Sequence, residues 1–416
     1  IILPIVGKEI PIFSDQYVDK EFGTGCVKIT PAHDPNDLEM AQRHNLEIIN
    51  IMNDDATLNN NVPNEFEGLD RFEARKKVVQ KLTQLGLIEK IEDYKNKVGF
   101  SERTNVVIEP RISKQWFMKM EKLVDPALKV VKDKKIKFHP ARWEKIYNHW
   151  LKNINDWCIS RQLWWGHQIP VWYKDEEIYC GINAPKEDGW VQDEDVLDTW
   201  FSSWIWPLAT LGWPNKTKDL DKFYPTQDLV TGPDIIFFWV ARMIMAGLYF
   251  KNEIPFSNVY FTSIIRDENG KKMSKSLGNS PDPIELFDKY GVDAVRVSIL
   301  MIAPQGTDVL FSIDRLEQGR NFMNKLWNSS RFLMMNIDDI SSIKNINKIN
   351  FQELEAIDFW ILSKLNKTIN LVDTQLSNYK LNEAIKTIYN FVWRDYCDWY
   401  IEFSKNRMYG NNFKEK

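Results

Sequence analysis

The stretch Lys271-Lys272-Met273-Ser274-Lys275-Ser276-Leu277-Gly278-Asn279 follows an apolar run from Val259 to Ile265 and the turn signal Asp267-Glu268-Asn269-Gly270. The run predicts a strand and so places the lysines on a polar loop beyond its end, the edge where open α/β sheets bind ligands. Lys272 and Lys275, three residues apart between small serines, could bring two ammonium groups to one polyphosphate, where charge aimed at the transition state is a main lever. A Lys/Ser loop on its own also reads as a solvated basic turn. Its surroundings decide between the two.

Upstream of the loop, Thr231-Gly232-Pro233-Asp234 opens an apolar helical stretch. Glycine before a helix lets backbone approach a ligand, and the helix N-terminus favours anions. Asp234 would instead suit a cationic amino group or ribose hydroxyls, or serve as a plain helix-start acid. Ile235, Trp239 and Arg242 fall at spacings of four and three, which predicts one face. The run from Asp234 to Phe250 is the most membrane-like part of the chain, yet it carries Arg242 in its middle and falls short of the roughly 20 apolar residues a span needs. It reads as a buried core helix. Further back, tryptophans crowd the region from Trp143 to Trp213, and core packing is favoured over base stacking for each. Ile169 to Tyr173 predicts a strand, and His167 beside Trp164-Trp165-Gly166 reads as a structural or exposed loop residue.

Toward the N-terminus, Val27 to Thr30 alternates as a strand should, and Asp34-Pro35-Asn36-Asp37 starts a helix, with Asp34 as cap and Pro35 at the first helical position. Asp70 caps a second helix that carries Phe72, Val79, Leu82 and Leu85 and stops at Gly86. After the Lys/Ser loop, Asp282-Pro283-Ile284-Glu285 predicts a capped helix and Val292 to Met301 another. Beyond Asp314 the pattern is helical nearly throughout, interrupted by the linker-like stretch Asp338 to Asn350.

The 416 residues suffice for two or three domains with full cores. A net charge of −4 exerts no global pull toward nucleic acid, so any RNA contact must be local. Cys26, Cys158, Cys180 and Cys397 are scattered without a CxxC pair, which argues against zinc or a disulfide framework and predicts a cytoplasmic protein.

The loop is identical to the KMSKS signature of class I aminoacyl-tRNA synthetases. Its surroundings resemble the valyl-tRNA synthetase family in ordered blocks: Gly23 to Asp37, Trp157 to Tyr173, Asp195 to Trp213, Thr231 to Met245 and Asn321 to Trp327. The resemblance implies an α/β chain in three parts. Residues 1–105 would be the C-terminal part of a β-rich α/β editing insertion, 106–313 the second half of a Rossmann-like catalytic domain, and 314–416 a helical anticodon-binding domain.

By the same resemblance, Lys272 and Lys275 would be catalytic, stabilising charge on pyrophosphate. Gly232, Lys272, Met273, Ser274, Lys275 and Ser276 would bind ATP, with Mg²⁺ arriving on its phosphates. Asp234 would hold the valine ammonium while Trp200, Ile235 and Trp239 close around the isopropyl group, and tRNA(Val) would be the acceptor. Lys28, Thr30, Asp34 and Asp37 would face a pocket that hydrolyses mischarged threonyl-tRNA. Such a second site is needed because an apolar pocket rejects an added hydroxyl only about 100-fold.

No metal centre, no membrane span and a monomeric complete enzyme are expected. The chain opens on Ile1 rather than Met, and the HIGH element and the Thr-rich TTRPET-like segment of the family are not in it, so the expectation is a fragment of a longer protein or one half of a split enzyme. Two rivals differ in identifiable ways. An isoleucyl-tRNA synthetase would depart from KITPAHDPND and from the DTWFSS block. A non-catalytic RNA-binding paralogue would not need the two lysines and Asp234.

Overall fold

The computed structural model describes residues 1–101, 104–274, 277–336 and 351–409. They form two compact units, Ile1–Gln115 and Trp116–Lys416. The predicted linker Asp338 to Asn350 lies outside the described residues.

In the first unit, helix Pro35–His44 begins as expected, with the Asp34 carboxylate accepting from the backbone N–H groups of Asn36 and Asp37. Helix Arg71–Gln84 is capped by Asp70. The apolar positions proposed for its packed face do not all pack: Phe72, Val79 and Leu85 are exposed, and Ala74 joins Leu58 and Phe66 in the core. Val27–Thr30 does not form a strand. The reason is local, since the Thr30 N–H is taken at 2.6 Å by the Asp37 carboxylate rather than by a neighbouring chain, and Val27 stays exposed. Among the described residues of this unit, β pairing is limited to isolated bridges such as Met52–Leu58 and Phe100–Val107, so the β-rich character expected there is not seen.

The second unit is built on a parallel sheet in the order Lys137–His139, Phe256–Phe261, Thr226–Thr231. Parallel strands are buried on both faces, and Phe138, Phe256, Val259 and Phe261 are almost wholly so. The apolar run before the signature loop is not one strand. It ends at Phe261, and Ile265–Arg266 pairs separately with Val309–Leu310. The break comes where Thr262 N–H bonds back to Thr231 O at 2.9 Å.

Residues Pro233–Lys251 are continuous but not uniform: a 3₁₀ turn Pro233–Ile235, a π segment Ile236–Ala241 and an α-helix Arg242–Lys251. The π segment, a form often found at functional sites, invalidates the α-helical spacing used to put Ile235, Trp239 and Arg242 on one face. By length and apolarity this stretch could cross a membrane. Instead Val240, Met243, Ile244 and Met245 are buried in one core with Met120, Val131, Tyr147 and Phe256, so the core-helix reading holds.

The strand predicted at Ile169 to Tyr173 runs as Val171–Lys174 and pairs with Glu177–Cys180 and Val191–Gln192. Trp157 and Trp204 are core residues, but Trp164 and Trp165 are exposed, against the packing expected of each tryptophan. His167 is exposed as well, and its carbonyl accepts from Leu197 N–H.

The C-terminal helices follow the sequence closely. Asp282 caps Pro283–Tyr290, Val292–Ile302 follows, and Gly319 lets Asp314–Met335 approach the latter so closely that a Cβ there would strike Ala294 O and Ser298. Ala356–Ser377 opens with a reciprocal Glu355/Asp358 capping box, and Leu381–Asn390, Phe391–Tyr400 and Ile401–Tyr409 form a continuous run with a π centre.

Candidate active site

The two residues singled out at opposite ends of the catalytic motifs meet. Asp234 lies just beyond the C-terminal end of strand Thr226–Thr231, and Lys272 lies beyond the end of its parallel neighbour Phe256–Phe261. Lys272 Nζ donates to Asp234 Oδ2 at 3.0 Å, and both side chains are about half exposed or more. This is the carboxyl edge of a parallel sheet, the position where such sheets bind ligands. A Cβ at Gly232 would stand 2.6 Å from Asp234 Oδ1 and 3.3 Å from Ile264 Cδ1, so a side chain there would push the Asp234 carboxylate out of its present position.

Side chains from outside the motif's lysines shape the signature loop. The Asp267 carboxylate accepts from Lys271 N–H at 2.8 Å and from the Asn279 amide at 2.8 Å, and Asn279 Oδ1 accepts from Ser274 N–H at 2.9 Å. The Asn279 hydrogen bond, followed by that from Lys271, holds the Asp267 carboxyl below the usual range. Met273 packs against the cluster formed by Tyr290, Ala294, Val295, Phe311 and Leu316, which ties the loop to the helices beyond it. Lys275 and Ser276 lie outside the described residues.

Trp200, Ile235 and Trp239 sit on three elements, the helix Thr199–Ser203, the 3₁₀ turn and the π segment, and the first and last of these are joined to each other. Trp200 belongs to helix Thr199–Ser203 and stacks on Phe238 with centroids 5.9 Å apart. Trp239 Nε1 donates to Ser203 O at 3.2 Å.

Beneath them, the buried Asp198 accepts from Trp200 N–H at 2.9 Å, Trp157 Nε1 at 3.0 Å and Arg161 Nη2 at 2.6 Å, with Arg242 Nη1 4.0 Å away. Burial pushes the Arg242 guanidinium down to about 10 against the pull of Asp198, and the guanidinium carbon lies 3.5 Å from the Trp157 ring centroid.

In the first unit, Lys28 Nζ donates to Thr30 Oγ1 at 2.5 Å, Thr30 N–H to Asp37, and Asp37 N–H to the Asp34 carboxylate at 3.2 Å. The four residues are thus linked in one hydrogen-bonded cluster. Asp34 performs the capping role weighed for it, whereas the Asp37 carboxylate reaches across to Thr30. A cleft of about 730 Å³ in the same unit is lined instead by Asn50, Asn53, Asp54, Asn59 and Arg111.

The chain matches the family described as tRNA synthetases class I (I, L, M and V) over residues 16–187 and 181–312. The chain belongs to the class I tRNA synthetases. Residues 358–416 match the anticodon-binding domain of tRNA ligases. The valine–tRNA ligase of Chlorobaculum tepidum is 50% identical over 433 aligned residues, covering 100% of this chain and 48% of that protein. That of Bacillus subtilis is 51% identical and covers 99% and 47%. The chain therefore spans about half the length of the curated relatives it matches.

Among solved structures, the methionyl-tRNA synthetase of Mycobacterium tuberculosis bound by methionyl-adenylate aligns with TM-score 0.58 at 20% identity, over 76% of this chain and 59% of that one. A LeuRS–tRNA–LeuAMS ternary complex from Agrobacterium radiobacter aligns with TM-score 0.50 at 21% identity, over 58% and 37%. These two likenesses bear on the fold alone. They agree with the α/β catalytic fold and C-terminal helices expected of a class I synthetase.

Sequence reasoning about this synthetase missed Asn279, Asp267 and Asp198 as organisers. For Asn279 and Asp267 a signal existed, because both flank the loop and Asn and Asp readily bond backbone in turns. Asp198 carried only the ordinary mark of a helix cap.

Proposed function

We propose that the protein carrying this chain activates valine with ATP and transfers it to tRNA(Val). The valine carboxylate attacks the α-phosphorus of ATP and the bond to the β-phosphate oxygen breaks, leaving valyl-adenylate and pyrophosphate. A ribose hydroxyl at the tRNA 3′ end then attacks the acyl carbon and AMP departs. No side-chain nucleophile is needed, so positioning and charge supply the rate.

In this reading Asp234 holds the substrate ammonium, and Trp200, Ile235 and Trp239 enclose the isopropyl group. Gly232 keeps the backbone open for ATP at the start of the 3₁₀ turn. Lys272 and Lys275 take charge developing on pyrophosphate, and Met273, Ser274 and Ser276 on the same loop help bind ATP. Mg²⁺ would arrive on the phosphates of ATP. Residues 106–313 serve as catalytic domain, 314–416 bind the anticodon arm, and 1–105 belong to an editing domain where Lys28, Thr30, Asp34 and Asp37 act on threonyl-tRNA.

The observation that carries the reading is the approach of Lys272 to Asp234 at the carboxyl edge of the parallel sheet, in a chain about half identical to valine–tRNA ligases. Those relatives favour valine over the isoleucyl alternative. ATP–pyrophosphate exchange by the full-length protein tests it: valine should drive exchange far better than isoleucine. A preference for isoleucine, or no exchange with either, refutes it.

A further inference from the structure

The geometry points to Asp198 as a positioning residue that sets the width of the amino-acid pocket. This rests on the reading of Trp200, Ile235 and Trp239 as the pocket walls, and concerns what holds those walls apart.

Asp198 is 5% exposed, and both of its oxygens are committed. Oδ1 caps the helix Thr199–Ser203 through Trp200 N–H, which ties the tryptophan's backbone to the carboxylate directly. Oδ2 receives Trp157 Nε1 and Arg161 Nη2. The Asp198 main chain is locked as well, its N–H donating to Ile159 O at 2.7 Å. The cap therefore cannot drift without breaking contacts to the Trp157–Arg161 segment.

The opposite wall is held through Arg242. It directly follows the π segment that carries Trp239 and is 6% exposed. Its Nε and Nη1 have no hydrogen-bond partner. A buried cation with two unsatisfied N–H groups is costly. What favours it here is the Trp157 face at 3.5 Å and the Asp198 charge at 4.0 Å. One carboxylate thus restrains both walls: through its cap it holds Trp200, and through its charge it holds the helix behind Ile235 and Trp239. Packing alone would allow the walls to settle at another spacing, because a purely apolar contact is non-directional.

The test is steady-state exchange by the full-length protein and two variants, with melting temperatures recorded alongside. Asp198→Asn keeps an oxygen for the Trp200 cap and removes the charge. It should raise the KM for valine about tenfold, narrow the valine-to-isoleucine preference, and leave the KM for ATP unchanged, since small misplacements at a site cost this much or more. Asp198→Asn with Arg242→Met removes the stranded cation and should melt at or above the single variant. It should nevertheless keep the raised valine KM.

A merely structural role would move the KM values for valine and ATP together, or would let specificity recover with the melting temperature. Either result overturns the inference while leaving the proposed function intact. A parent protein that does not activate valine overturns the proposed function and this inference with it.

Discussion

Lys272 Nζ stands 3.0 Å from Asp234 Oδ2, so the signature-loop ammonium pairs with the carboxylate proposed for the valine ammonium. An ion pair this exposed contributes at most about 1 kcal/mol, little enough for a bound amino acid to displace.

Lys272→Ala should therefore separate binding from chemistry. Valine affinity measured by calorimetry without ATP should stay the same or tighten by up to about fivefold, because the competitor is worth no more than about 1 kcal/mol. Adenylate formation in rapid-quench experiments should fall roughly a hundredfold, the effect of losing about 3 kcal/mol of transition-state stabilisation. Weakened valine binding in the variant would mean that the lysine supports the carboxylate instead of competing for it.

Asp37→Ala should raise threonyl-tRNA accumulation in the full-length protein and leave valine activation nearly unchanged. Its carboxylate accepts Thr30 N–H at 2.6 Å and so organises the Lys28–Thr30 pair, away from its own helix terminus. The measurement is deacylation of threonyl-tRNA by parent and variant. Equal rates would return Asp37 to a purely structural role.

Asp358 supplies a pH-dependent stabilisation of the C-terminal helices. Arg407 grips both carboxylate oxygens at 2.8 Å, with Glu355 N–H and Tyr400 OH as further donors, and these hold the carboxyl down to about 2 from 3.8. Because the folded value lies below the unfolded one, the stabilisation is fully present above the unfolded value and is lost as pH falls from about 3.8 toward 2. It amounts to at most about 2 kcal/mol. Denaturant unfolding of parent and Asp358→Asn should show a constant gap from neutral pH down to about pH 4 that closes below it. A gap that persists in acid would show that the carboxylate is not the stabilising form.

Local features of this protein could be read directly because their causes are local. Asp34, Asp70 and Asp282 each satisfy N–H groups two or three residues away, so the helix starts followed from the residues themselves. The placement of the lysines on a loop past a strand end needed only the apolar run and the Asp267–Gly270 turn. The buried character of Pro233–Lys251 followed from its composition.

Tertiary structure decided what depends on distant partners. Val27–Thr30 alternates like a strand but forms no ladder, since a ladder needs a neighbouring edge and Asp37 supplied the hydrogen bond first. The π segment at Ile236–Ala241 left no mark in the hydrophobic pattern. Lys272 and Asp234 are 38 residues apart, and Trp157 and Asp198 are 41 apart. Charge type and motif identify each of these residues as a candidate. Only the parallel pairing of the strands Thr226–Thr231 and Phe256–Phe261, which aligns their carboxyl ends, brings the first pair within hydrogen-bonding distance.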